Sequence, residues 1–161
     1  MFVEHFSKLE AAHRSEVARH LLSLDGDSRT MRFGVPAHDA TVARYVASID
    51  FERDIVEGVW DGDRLAGVAH LAVYVEGARP VGELGISISA DDRHQYLGQR
   101  LLDRALLQAR LLRLKRVYVQ YITRNRPMAR LAGTFTDAID VNGTDVCATI
   151  ELDGVEREFI A

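Results

Sequence analysis

Residues 83–113, ELGISISADDRHQYLGQRLLDRALLQARLLR, combine a strand pattern, a polar turn and a helix pattern. Leu84, Ile86 and Ile88 alternate with polar or small residues, which is the period of a strand that has one apolar face. From Leu97 onward the apolar residues recur at helical spacing and form one broad stripe. We therefore predict a strand over residues 83–89 and a long helix that begins near Leu97.

The junction between these two elements is suited to binding an anion. Gly98 lies at the start of the predicted helix, where the first backbone N–H groups have no partner within the helix. The positive end of the helix dipole lies behind the same N–H groups, and this combination binds phosphate. The sequence thus predicts a phosphate-binding turn over residues 95–99.

The turn also carries a family resemblance. Residues 93–98, RHQYLG, resemble the Arg/Gln-x-x-Gly-x-Gly/Ala loop of the GNAT superfamily of acyl-CoA-dependent N-acetyltransferases, with Tyr96 at the position of the first glycine. Residues 125–131, NRPMARL, followed by Phe135, resemble the Asn-x-x-Met-x-x-Leu segment of that family. Strand, loop, helix and this later segment follow one another in the family's order.

A second segment resembles a narrower group of the same family. Leu24, Arg29, Arg32 and Phe33 are spaced as in bacterial GNAT domains related to protein-lysine acetyltransferases. The resemblance implies an α/β fold with a mixed, mostly antiparallel sheet of six to seven strands flanked by helices. A strand–loop–helix unit that binds CoA lies at its centre. We expect residues 1–161 to form a single domain of this kind.

Turn signals and apolar periodicity predict the other elements. The strands around Asp61-Gly62-Asp63 and around Asn142-Gly143 are predicted to form hairpins. Residues 28–34 are predicted to be a connector. Strands 83–89 and 116–122 are predicted to be parallel, because a helix joins them. The remaining predicted strands are 2–6, 55–60, 65–75, 138–141 and 146–152, and the remaining predicted helices are 10–24, 38–49 and 127–132.

The resemblance also implies where the cofactor lies. In the family, the strand before the loop and the strand after the helix diverge, and the pantetheine arm of CoA lies between them. The alternative is a strand–helix turn of some other α/β fold. For Arg93, solvation of the turn is an alternative to phosphate binding, and Asn125 could simply cap a helix. The expected cofactor-binding residues are Ile86, Ser87, Ile88, Arg93, His94, Gln95, Tyr96, Leu97, Gly98, Gln99 and Asn125.

Candidate catalytic residues follow from the chemistry of acetyl transfer to an amine. The amine must lose a proton to a base before it attacks, and the carbonyl oxygen then needs hydrogen-bond donors. Glu83 resembles the strand glutamate of some histone acetyltransferases of the superfamily, although a solvated or ion-paired strand end is the alternative. His70 on the preceding strand is a second candidate, or a packed histidine. The family's acid tyrosine is not evident after Asn125. Either Tyr121 replaces it, or the thiolate leaves without an acid, or the protein is catalytically weak.

Composition limits the class of protein. The chain has 161 residues, of which 47% are hydrophobic, and a net charge of −4, so it can form a substantial core and lacks the basic character of a nucleic-acid binder. The single cysteine, Cys147, excludes an internal disulfide and a cysteine-based zinc site, and fits a reducing cytoplasm. We predict no bound metal. We also predict no membrane association, since neither a signal peptide nor a long apolar run is present.

Two functions agree with these observations. The first is a cytoplasmic N-acetyltransferase whose partners are acetyl-CoA and a primary amine, the amine being a small molecule or a protein lysine or N-terminus. The second is a non-catalytic GNAT-fold module that binds CoA or a protein partner in a regulatory role. A homodimer is left open for either one.

Overall fold

The fold is built on one sheet of seven strands with helices on both faces. The computed structural model describes residues 4–93 and 96–153. In this part the strands are β1 (Glu4–Lys8), β2 (Ile55–Asp61), β3 (Arg64–Glu76), β4 (Arg79–Ile88), β5 (Arg116–Ile122), β6 (Ile139–Asn142) and β7 (Asp145–Glu151). The helices are α1 (Arg14–Ser23), α2 (Gly26–Phe33), α3 (Asp39–Ser48), α4 (Leu97–Leu111) and α5 (Arg126–Gly133), with single 3₁₀ turns at Ala11–His13 and Ala90–Asp92. None of these helices is both long and apolar enough to cross a membrane.

The sheet is mixed and mostly antiparallel, as predicted. Its strand order is β1-β2-β3-β4-β5-β7-β6, and β4 and β5 form its parallel pair. On one face, α4 buries Leu101, Leu102 and Leu106 against the sheet. On the other face, α1 and α3 cover Val56 and Val68. Strand alternation therefore supplies two separate cores, one for each layer of helices.

The segment predicted as a connector, residues 28–34, is mostly helix α2. The Asp25 side chain accepts a hydrogen bond of 2.7 Å from the backbone N–H of Ser28, which caps the start of the helix. Gly34 ends it in the left-handed region at φ 79°. Caps of this kind specify a short helix without an apolar stripe. No residue of α2 is fully buried, so hydrophobic periodicity could not reveal it.

Strands β4 and β5 separate partway along their length. They pair from Gly82–Val117 to Leu84–Val119. Beyond that point β4 continues to Ile88 paired with β3, and β5 continues to Ile122 paired with β7. In the described part of the chain the two strands make no further pairs with each other, so their facing edges line a gap. This is the divergence that the resemblance implied.

Candidate active site

Helix α4 begins shortly after the end of β4, at the edge of the sheet where β4 and β5 have separated. Its N-cap residue is Tyr96, and among the described residues the cap makes no side-chain hydrogen bond to the first turn, which contains no acidic residue. A Cβ added to Gly98 would meet, among the described residues, Leu131 Cδ2 at 3.7 Å, an ordinary contact. Packing within the chain therefore does not require glycine here. The missing side chain leaves the backbone of the turn open to a ligand.

Tyr96 keeps the backbone conformation of a glycine. Its φ of 56° and ψ of 22° lie in the left-handed region, and its side chain is 78% exposed. The departure from the family motif is thus tolerated because the ring points outward. The conformation costs a residue with a Cβ about 1–2 kcal/mol.

Tyr96→Gly is therefore expected to raise the free energy of unfolding by about 0.5–1 kcal/mol, because relief of backbone strain exceeds the extra entropy of glycine in the unfolded chain. Urea unfolding checks this. Leu107→Gly, at an exposed position in the middle of α4, is the control and should lower stability by about 1 kcal/mol. A Tyr96→Gly protein as destabilised as the control would show that the tyrosine is unstrained.

The opposite face of the sheet carries a hydrogen-bonded chain of polar side chains. Asp54 Oδ2 lies 2.9 Å from His70 Nε2, and His70 Nδ1 contacts the hydroxyl of Tyr45. That hydroxyl accepts a hydrogen bond of 2.7 Å from Arg32 Nη2. Because a carboxylate can only accept, the proton of His70 lies on Nε2, and Nδ1 accepts from Tyr45.

Burial and neighbours determine the charge of each group in this chain. Burial lowers the pKa of His70, and the nearby Asp54 only partly reverses this. Burial also raises the pKa of Tyr45, against the opposing effect of Arg32. For Asp54, burial is outweighed by hydrogen bonds from Arg53, His70 and the backbone of Val73, so its pKa falls. At neutral pH, Asp54 is thus ionised while His70 and Tyr45 are uncharged.

Glu83 and His70 line the same pocket. The pocket has a volume of about 120 Å³ and is formed by Arg32, Tyr45, His70, Ala72, Glu83, Leu84 and Gly85. Glu83 is exposed, and it makes no side-chain hydrogen bond or ion pair with another described residue. The two candidate bases are therefore close together. Glu83 is accessible, whereas His70 is already hydrogen bonded to Asp54 and Tyr45.

Tyr121 lies on the other face of the sheet. It is buried among the core residues that pack against α4, and burial raises its pKa. Tyr121 belongs to the part of β5 that has separated from β4, and it is not among the described residues that line the pocket. Its role as an acid stays a prediction.

The strand residues expected to hold the cofactor present their main chain to the gap. Ile86 is packed in the core on the α4 side, and Ile88 packs against that core. The hydroxyl of buried Ser87 is hydrogen bonded to His20 Nε2 at 2.9 Å, while His20 Nδ1 lies 3.2 Å from the carbonyl of Leu65. The side chains are thus occupied, which leaves backbone groups as the available contacts.

Two of the other expected cofactor residues make bonds within the chain. Asn125 caps α5 by accepting from Met128 N at 3.2 Å, and its amide donates to Met31 O at 3.3 Å. Arg93 donates to Ile88 O at 3.2 Å and to Ser28 Oγ at 2.7 Å. These bonds favour structural roles for both. His94 and Gln95 lie outside the described residues.

Sequence reasoning missed Arg32, Tyr45 and Asp54 as site residues. Arg32 belongs to the second segment that resembles GNAT domains, and that segment was its one available signal. In the sequence, Tyr45 belongs to the apolar stripe of its predicted helix, and Asp54 lies in a loop before a predicted strand. Only the tertiary packing of α2 and α3 over the sheet brings the three together around His70.

Comparison with known proteins adds to this geometry. No family model and no curated protein sequence matches the chain. The GNAT domain of S. lividans PAT superposes with a TM-score of 0.77 at 13% identity, covering 92% of this chain and 90% of that one. For a GNAT-family acetyltransferase from Streptococcus pneumoniae the TM-score is 0.67 at 18% identity, with coverages of 91% and 97%.

A third similar structure contains a cofactor. It is yncA from Salmonella typhimurium, determined with its cofactor acetyl-CoA, and it superposes with a TM-score of 0.69 at 12% identity over 94% of this chain and 95% of that one. Each of the three structures matches over at least 90% of both chains. The chain therefore has the fold of the GNAT acetyltransferases.

Proposed function

We propose that the protein transfers an acetyl group from acetyl-CoA to an amine. The observation that carries this proposal is the gap between β4 and β5, which opens beside the start of α4. A pantetheine arm needs backbone partners for its amides, and the separated edges of residues 85–88 and 120–122 offer them. A pyrophosphate needs N–H groups without competing negative charge, and the first turn of α4 offers those. The Salmonella protein determined with acetyl-CoA has the same fold.

The reaction needs one proton acceptor in the pocket. Glu83 takes a proton from the bound ammonium group, directly or through water, and the freed amine nitrogen attacks the thioester carbonyl carbon. A C–N bond forms and the C–S bond breaks. The attached nitrogen loses its second proton to solvent, the thiolate takes up a proton from Tyr121 or from solvent, and Tyr121 and Glu83 return to their starting states by exchange with solvent. In sum, an ammonium ion and acetyl-CoA give an acetamide, CoA and one released proton.

Glu83 is favoured over His70 as the base because of their different contacts. Both nitrogens of His70 are engaged, one by Asp54 and one by Tyr45, so His70 can reach a substrate only through the Tyr45 hydroxyl. Glu83 has no such partner among the described residues and lines the same pocket. In this assignment Asp54 and His70 hold Tyr45 in place.

Cofactor binding tests the first part of the proposal. Calorimetry is expected to detect binding of acetyl-CoA, and Gly98→Val is expected to weaken it at least tenfold, or ~1.4 kcal/mol, because a branched side chain would cover the first-turn N–H groups. Ala43→Val adds the same kind of bulk at an exposed position of α3 and should leave the affinity unchanged. Circular dichroism shows whether each variant is folded.

The outcomes separate the two candidate functions. If Gly98→Val binds as tightly as the unchanged protein, the phosphates do not lie on this turn. If the protein does not bind acetyl-CoA, the proposal fails. If it binds acetyl-CoA but releases no thiol with any amine, it is the non-catalytic module instead.

A further inference from the structure

We propose that the acceptor carries a carboxylate next to its amine, as a free amino acid does, and that Arg32 binds this carboxylate. The assignment rests on the acetyl transfer proposed above and names its substrate class. It follows from the charge, position and contacts of Arg32 and Glu83 in one pocket.

Arg32 is a cation without a carboxylate partner among residues 4–93 and 96–153. Its guanidinium donates to the Tyr45 hydroxyl at 2.7 Å and lies 4.9 Å and 5.2 Å from the ring centroids of Phe33 and Tyr45. Arg29, one turn earlier in α2, bonds to the carbonyls of Leu22, Leu24 and Ala37 and pairs with Asp39 at 2.7 Å. Arg29 thus has a structural role, while Arg32 retains unused donors at the pocket.

Gly85 lets Arg32 approach the sheet closely. A Cβ built on Gly85 would overlap the guanidinium of Arg32, so the arginine occupies the space of a strand side chain. Glycine within a strand weakens it and marks a close approach. Gly85 is also the first β4 residue beyond the point where β4 and β5 separate. The guanidinium therefore lies beside the gap in which the thioester is expected.

Glu83 places the opposite charge in the same pocket. It lies two residues from Gly85 on the same face of β4, a separation of about 7 Å along the strand. In the described part of the chain the two charged groups do not pair with each other, although both line the pocket. A molecule with adjacent carboxylate and ammonium groups satisfies both charges, with the carboxylate on Arg32 and the ammonium on Glu83.

The contacts of Arg32 also explain why a carboxylate suits this site. A guanidinium presents five donors in a planar fork that matches a carboxylate in a bidentate arrangement. The hydrogen bond that Arg32 donates to the Tyr45 hydroxyl and the contacts with the rings of Phe33 and Tyr45 hold the fork in one orientation. An amine without a carboxylate would displace water from Arg32 and leave its donors unpaired, which selects against that amine. The products are then an N-acetyl amino acid, CoA and one proton.

A competition assay tests the assignment. The protein is incubated with acetyl-CoA and an equimolar mixture of the protein amino acids and their α-carboxamides, and the N-acetylated products are measured by mass spectrometry. We expect the acids to be acetylated at least tenfold faster than the amides. Arg32→Met should bring this ratio close to one without changing the affinity for acetyl-CoA, and Arg32→Lys should give an intermediate ratio. Arg44→Met, at an exposed position of α3, is the control and should keep the ratio.

Several outcomes would overturn the assignment. These are equal acetylation of acids and amides, an equal loss of both in Arg32→Met, or a loss of acetyl-CoA affinity in Arg32→Met. If neither the amino acids nor their carboxamides are acetylated although acetyl-CoA binds, the acceptor class is wrong while the cofactor assignment stands. If calorimetry detects no acetyl-CoA binding, the proposed function itself has failed.

Discussion

Replacement of Glu83 by glutamine is expected to slow acetyl transfer by about 10² to 10⁴-fold while the affinity for acetyl-CoA stays the same. Glutamine keeps the size of the side chain and its hydrogen bonding but cannot take up a proton. Glu83 is exposed and does not belong to the hydrophobic core that packs against α4, so the substitution should not disturb packing. Single-turnover kinetics with an acceptor found by screening measures the chemical step separately from binding.

The rate–pH profile gives a second readout for Glu83. Because no side chain then takes up the amine proton, the rate of Glu83→Gln should follow only the population of the neutral acceptor amine, and its pH profile should differ from that of the unchanged protein. Glu52→Gln changes an exposed loop carboxylate and should alter neither rate nor profile. Near-normal turnover of Glu83→Gln with the original profile would move the role of base to the Tyr45–His70–Asp54 chain.

The free energy of unfolding is expected to rise by about 3 kcal/mol between pH 4 and pH 6.5 because of His20. Burial lowers the pKa of His20 to about 4, although its bonds to Leu65 and Ser87 raise it in part. Between this value and the ordinary pKa of 6.5, the unfolded chain binds a proton at His20 and the folded chain does not. The unfolded state is therefore favoured as the pH falls, and stability increases with pH across this window.

Urea unfolding at a series of pH values measures this dependence. His70, whose pKa is also lowered, contributes with the same sign, so the variant His20→Gln is needed to isolate His20. The free energy of unfolding of His20→Gln should rise less steeply with pH than that of the unchanged protein, by up to about 1.4 kcal/mol per pH unit. A slope equal to that of the unchanged protein, or an NMR titration of His20 near pH 6.5, would contradict the prediction.

Much of the fold could be predicted because its signals are local. The alternation at Leu84, Ile86 and Ile88 and the stripe from Leu97 onward specify β4 and α4 through burial of one face each. The hairpin turns were predictable because each contains a glycine next to Asp or Asn. In the structure Gly62 and Gly143 adopt φ values of 63° and 65°, which a glycine reaches without strain. Helix α2 was missed because its caps, and not a buried stripe, define it.

The candidate site was predictable only in part. Glu83, His70 and the glycine at the start of α4 were found because each belongs to an element with a clear pattern. Their grouping depends on strand register, which sets Glu83 opposite Ala72 and His70 opposite Gly85. The same register places Tyr118 beside Glu83 and turns Tyr121 to the other face.

By itself, the sequence determined the central strand, the turn and the long helix, together with the uncapped backbone at their junction, because these depend on neighbouring residues. The tertiary structure alone decided that Arg32, Tyr45, Asp54 and His70 meet beside Glu83. These residues come from two helices, a loop and a strand. The physical reason is that each helix docks so as to bury its apolar residues, and the polar side chains at the edge of that packing meet as a consequence.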